Sequence, residues 1–162
     1  MTISFERLKE VIQYNQLSGA AIWVKKCGKC IPGMQAGSKH TLGYTVIRID
    51  GERYYLHRLA WFYMHGVWPK SQIDHIDGDT TNNKISNLRE STQAENRQNM
   101  RSAMTNSKTG ILGVRFRKGK WEARIKVGDR QINLGRFNSA YLAQMAYVDA
   151  KQANHPFYVG SA

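Results

Sequence analysis

The sequence predicts an α+β protein built in two parts, and three observations predict it. Apolar residues switch between helical and strand spacing along the 162 residues. The polar, small-residue stretch 102–109 carries no periodicity and reads as a linker between a first domain, 1–101, and a second, 110–155. Charge divides at the same place: residues 1–100 carry 13 basic and 9 acidic side chains, a balance of +4, whereas residues 101–162 carry 11 and 3, a balance of +8.

Taken in order, Phe5, Leu8, Val11 and Ile12 recur at helical spacing behind a cap at Ser4 and predict a helix over about 6–15. Residues 20–24 form a weak strand. Residues 43–56, GYTVIRIDGERYYL, are two β-rich runs joined at Asp50-Gly51, a strong hairpin signal. Residues 57–65, HRLAWFYMH, then predict a short buried helix ended by Gly66 and Pro69. A strand at 72–76 holds Asp74 and His75, a turn-rich loop follows at 77–87, and Thr92 with Glu95 forms a capping box opening a helix over 92–100.

Beyond the linker, residues 113–137 alternate over three antiparallel strands, with turns at Lys118-Gly119 and Gly128-Asp129. Val114, Phe116, Trp121, Ala123, Ile125, Val127, Ile132 and Leu134 fall on one face. Arg115, Arg117, Lys120, Glu122, Arg124, Lys126, Gln131 and Asn133 fall on the other. Ser139 caps a helix to about Asn154, whose Leu142, Ala143, Ala146, Tyr147 and Ala150 cover the apolar face.

An apolar fraction of 41% is enough for a folded chain. Twenty-four Lys and Arg against twelve Asp and Glu leave +12, which points to a polyanionic partner, nucleic acid or an anionic membrane surface. No run approaches the ~18 to 20 apolar residues that span a bilayer, and the first residues are amphipathic rather than signal-like, so an intracellular protein is expected. Cys27 and Cys30 are too few for a disulfide scaffold and, without a second pair, too few for a structural zinc site; packing or surface cysteines are expected.

The segment 70–101 holds more Asn and Asp than packing requires. Hydrolysis of a phosphodiester needs a base to deprotonate water and a cation at the leaving oxygen. His75 suits the first task at neutral pH. Asp74 with an Asn carbonyl offers the hard oxygens that suit Mg²⁺. Asn96 and Asn99 both lie on the following helix, and spacing alone leaves open which is the ligand. Asp77, Asp79, Asn82 and Asn83 are expected to shape turns through their own backbone. An EF-hand is excluded, since position twelve counted from Asp77 is Leu88. His57 is expected to pack its helix or support the site.

The ordered set Asp74-His75-Ile76-Asp77-Gly78-Asp79, Asn82-Asn83, Asn87-Leu88-Arg89 and Glu95-Asn96, with His57-Arg58-Leu59-Ala60-Trp61 upstream, resembles the HNH endonucleases, nearest their phage-type homing and freestanding members. The resemblance covers about 43–99. It implies a ββα-metal nuclease core followed by the three-stranded sheet packed on one helix. It implies His75 as general base, Asp74 and Asn96 as ligands of one Mg²⁺ (or Mn²⁺) per site, and Asn87 holding the loop and orienting His75. Asn96 stands where many HNH enzymes have a third His. The expected substrate is double-stranded DNA, cut to 5′-phosphate and 3′-hydroxyl ends by a monomer or weak dimer in the cytoplasm of a bacterial or phage-infected cell. No membrane and no small-molecule substrate are expected.

Residues Gly113-Val114-Arg115, Lys120-Trp121-x-Ala123-x-Ile125, Leu134-Gly135-x-Phe137 and Ala143-x-x-Ala146-Tyr147-x-Asp149 resemble the Apetala-type DNA-binding domain of plant ethylene-response factors over roughly forty residues. That resemblance implies DNA contacts at Arg115, Arg117, Arg124 and Lys126, with Trp121 at the sheet; Lys120 lies on the same basic face. The alternative function is a DNA-binding regulator without catalysis; a nuclease acting on RNA is a third, weaker reading.

Overall fold

The computed structural model describes residues 2–160 and divides into two compact units, Met1–Thr92 and Gln93–Ala162. Among the described residues there are four α-helices and several small antiparallel sheets, a mixed architecture compatible with the α+β class. None of these helices is long and apolar enough to cross a membrane.

In the first unit Ser4 caps α1 (Phe5–Val11) by accepting from Arg7 N. The helix is shorter than its apolar spacing predicts. Ile12 is extended, because β1 (Ile12–Tyr14) turns into an antiparallel pair with β2 (Ala21–Trp23), and that pairing satisfies the backbone groups a longer helix would have used. After β3 (Ser38–Lys39), the strands β4 (Thr45–Ile49) and β5 (Glu52–Tyr55) close the predicted hairpin. Asp50 and Gly51 both have positive φ, 50° and 88°, as a two-residue turn matched to strand twist requires. Helix α2 (Leu56–His65) follows directly and stops at Gly66, which adopts the left-handed conformation.

Strand β6 (Gln72–His75) pairs with β7 (Leu88–Ser91) in a two-stranded ribbon. The sequence marks β6 but not β7, whose Leu88-Arg89-Glu90-Ser91 has a weak strand pattern and is recruited by its partner. Leu8, Val11, Ile12, Trp23, Ile47, Ile49, Leu59, Phe62, Ile73 and Leu88 share one core, so helices, hairpin and ribbon are held by common apolar burial.

The second unit begins with α3 (Gln93–Gln98), so the division falls ahead of the stretch read as a linker. Chain beyond α3 is tied into this unit: Lys151 Nζ donates to Met100 O. Strands β8 (Val114–Arg117), β9 (Lys120–Val127) and β10 (Arg130–Phe137) form an antiparallel sheet in the order β10-β9-β8. Helix α4 (Ala140–Asn154), capped by Ser139, places Ala143 and Tyr147 against Val114, Ala123 and Ile125. Phe116 departs from expectation: it lies beyond this cover and is 56% exposed, its ring 5.0 Å from that of half-buried Trp121.

Candidate functional site

The β6-β7 ribbon sets the first part of the site. Asp74 pairs with Arg89 and His75 with Leu88 across it, and strand alternation sends Asp74 and His75 to opposite faces. Both are buried, at 6% and 4% exposure. Arg89 donates from Nε and Nη2 to Asp74 Oδ2 at 3.0 and 2.8 Å, which compensates the burial of the carboxylate.

His75 Nε2 lies 3.3 Å from Asn83 Oδ1. Asn83 is itself buried, and its Nδ2 donates to Thr81 O at 3.0 Å, which turns Oδ1 toward the imidazole. A carbonyl oxygen can only accept, so in this contact it is His75 Nε2 that carries the proton. Two features of the N-terminal hairpin fix Asn83. Tyr14 Oη donates to Asn83 O at 2.7 Å, and Gly19, at φ 74°, packs so closely that a Cβ there would stand 2.6 Å from Asn83 C and 2.5 Å from Lys84 N.

Around His75 the walls are aromatic. The His57 ring is 5.2 Å away and edge-on, Tyr44 is 6.0 Å away, and His57 stacks on Tyr55. Burial, then the adjacent His75 and Arg58, push His57 down to about 3, so it stays neutral; its buried Nδ1 has no hydrogen-bond partner among the described residues. Burial also lowers His75, opposed by Asn83 and by the carboxylates of Asp77, Asp74 and Asp79, which leaves the imidazole unprotonated at neutral pH.

The loop after β6 is internally bonded. Asn87 accepts from Asp77 N at 3.0 Å and donates to Asp77 Oδ1 at 2.9 Å and to Asn82 O at 2.8 Å. Asp77 Oδ2 accepts from Asn82 Nδ2 at 2.6 Å, and Asp79 Oδ1 accepts from Thr81 N and Oγ1. Asp77 and Asp79 thus make turns, as their sequence setting predicts. Asn83 does more than that, and its place beside His75 is not readable from spacing. Ile76 N donates to Asn87 O at 2.9 Å, so Asn87 holds both ends of the loop that begins at His75.

Among the described residues no three His, Cys, Asp or Glu side chains gather as a metal cage. Asp74 supplies a buried carboxylate, the kind of hard oxygen donor that divalent cations such as Mg²⁺ take with few protein ligands. Asn96 lies on α3, in the second unit, and Asp74 on β6, in the first. Cys27 and Cys30 exchange backbone hydrogen bonds across a tight turn, are half-buried against the core and are free thiols.

Residues 54–98, which run from β5 through α2, the ribbon and α3, match the HNH endonuclease family model. That segment therefore has the pattern of a nuclease, a hydrolase acting on DNA. No curated protein and no solved structure matches the chain.

In the second unit, Arg115, Arg117, Lys120, Arg124 and Lys126 share the sheet face away from α4. Arg136 joins them, which simple alternation does not predict. A bulge between Asn133 and Gly135 shifts the register by one and sets Arg136 opposite Glu122. Glu122 is 8% exposed and meets Arg115 Nε at 2.7 Å, Arg136 Nε at 3.4 Å and Arg124 Nη2 at 3.5 Å. The bond from Arg115 chiefly holds its carboxyl below the ordinary range. Lys120 Nζ donates to Asn138 Oδ1, and Lys126 forms only a loose exposed pair with Asp129 at 3.9 Å.

Proposed function

We propose that the protein is a Mg²⁺-dependent DNA endonuclease of the homing or freestanding HNH type. One observation carries the reading: within the segment that matches the family, the buried imidazole of His75 is held with Nε2 3.3 Å from Asn83 Oδ1. His75 Nδ1 takes a proton from water, and the resulting hydroxide oxygen attacks phosphorus in line as the bond to the 3′ oxygen breaks. The 3′ oxygen takes a proton from solvent, leaving 3′-hydroxyl and 5′-phosphate ends. Asp74 and Asn96 would hold Mg²⁺ or Mn²⁺, which supplies positive charge to the scissile phosphate when bound. Asn87 keeps the loop closed behind His75 and so limits the rotation of its backbone.

Asp74 and His75 leave opposite faces of β6, which supports a division of labour between the cation side and the water side of the scissile bond. Arg115, Arg117, Lys120, Trp121, Arg124 and Lys126 bind double-stranded DNA, the guanidinium groups reading base edges and phosphates. With one such site per chain, a monomer nicks.

A supercoiled plasmid tests this. Relaxation in Mg²⁺ or Mn²⁺ that is lost in chelator and falls about 10²- to 10⁴-fold in His75→Ala is expected for a general base. Relaxation that survives His75→Ala unchanged would overturn the mechanism, and binding without relaxation in any divalent ion would establish the non-catalytic regulator instead.

A further inference from the structure

We infer that Glu122 sets the sequence preference of the sheet, by fixing Arg115, Arg124 and Arg136 as one preformed array for reading guanine in the major groove. The inference rests on the reading that this face contacts DNA. Arg115, Glu122 and Arg136 are direct neighbours in one row across β8, β9 and β10. Arg124 lies two residues along β9 on the same face, so the carboxylate stands at the centre of three guanidinium groups.

Burial differs sharply within the cluster. The Glu122 side chain is 10% exposed, whereas those of Arg115, Arg124 and Arg136 are 42%, 32% and 47% exposed. The carboxylate forms the floor and the guanidinium groups the rim. Arg115 reaches the floor through Nε, so its terminal Nη groups are not spent on Glu122. Arg136 is held a second time, its Nη2 donating to Arg117 O at 3.3 Å. Three arginines this close would repel and splay without the acid. With it, the cluster keeps a balance of +2 and a restricted set of rotamers, and pre-ordering of this kind turns a charged patch into a selective one.

The same geometry argues against a purely stabilising role. A structural pair needs one partner, and Arg115 already supplies it at 2.7 Å; Arg136 is brought in only by the bulge in β10. Glu122 touches no base in this scheme, so it is a positioning residue. Its removal has opposite effects on two kinds of duplex, because it removes a charge that repels phosphate as well as a support that orders the arginines.

The full-length chain in chelator, which prevents cutting, is first used to select a preferred duplex from a randomised library. Its affinity is then compared with that for a scrambled duplex at several salt concentrations, for wild type, E122Q, E122D and R136K, with a melting curve for each. E122Q is expected to bind the scrambled duplex as tightly as wild type or more so, while its selected-to-scrambled ratio falls about tenfold or more. E122D restores part of the ratio, and R136K, which keeps the charge but not the fork, lowers it. An unchanged ratio in E122Q, or equal loss on both duplexes, overturns the inference; should E122Q fail to melt cooperatively, an unchanged ratio in R136K does the same. A wild-type chain that binds the two duplexes equally overturns the inference alone, whereas one that binds neither overturns the underlying reading as well, and both outcomes are read before any variant is made.

Discussion

In the proposed mechanism His75 and Asn83 form the smallest unit that determines chemistry. A histidine on a strand end has two nitrogens, and only a fixed acceptor decides which one is basic. Asn83 does this at 3.3 Å while Thr81 O fixes the orientation of its amide. Asn83→Leu is therefore expected to lower the single-turnover nicking rate by roughly 10- to 100-fold, less than loss of the base itself, with little change in DNA affinity. An unaltered rate at saturating enzyme would assign Asn83 to loop folding alone.

Beside it, His57 determines a stability effect. Its folded pKa of about 3 lies below the ordinary 6.5 for histidine, so between those values the unfolded chain binds a proton that the folded chain does not. Stability is full above about pH 6.5 and falls as pH drops toward 3, at up to roughly 1.4 kcal/mol per pH unit for one such group. Denaturant titrations from pH 7 to pH 4 should show a smaller loss in His57→Phe than in wild type; parallel slopes would remove His57 from the account.

At the scale of elements, the β1-β2 hairpin acts as a support for the site rather than as a mere N-terminal appendage. Tyr14 and Gly19, which lies in the turn joining the two strands, hold the backbone of Asn83 and Lys84, and Asn83 is sixty-nine residues from Tyr14 in sequence. Gly19→Ala faces both a positive φ of 74° and a backbone contact at 2.5 Å that no side-chain rotation relieves. A loss of about 2 kcal/mol or more in unfolding free energy is expected, together with slower nicking, by denaturant titration and plasmid assay. Gly28→Ala, with nothing within 4 Å, is the matched control for positive φ without the contact, and an equal effect there would refute the support role.

The bulge in β10 works in the same way within the second unit. Uninterrupted alternation places Arg136 with Ile132 and Leu134; one extra residue moves it to the polar face.

For the whole molecule the governing quantity is charge. The excess of +12 is spread unevenly, with +8 after residue 100, and Arg117, Lys120 and Lys126 stand exposed on one sheet face. Neutralising phosphates releases counterions, so log affinity for duplex DNA should fall with log salt with a slope steeper than about −3, and Lys126→Ala should reduce that slope by about 0.9. A flat salt profile for the intact chain would show that the basic face does not bind the DNA backbone.

By itself the sequence determined the hairpin at Asp50-Gly51, the helix ended by Gly66, the strand bearing Asp74 and His75, and the alternating strands with their capped helix. Each of these is written in local signals: turn residues that need positive φ, caps, and apolar spacing. Only the tertiary structure decided that Asn83 meets His75, that Tyr14 and Gly19 hold Asn83, that Phe116 lies outside the helix cover, and that Glu122 gathers three arginines. These depend on contacts between residues far apart in the chain, or on a one-residue change of register, and no local pattern encodes either.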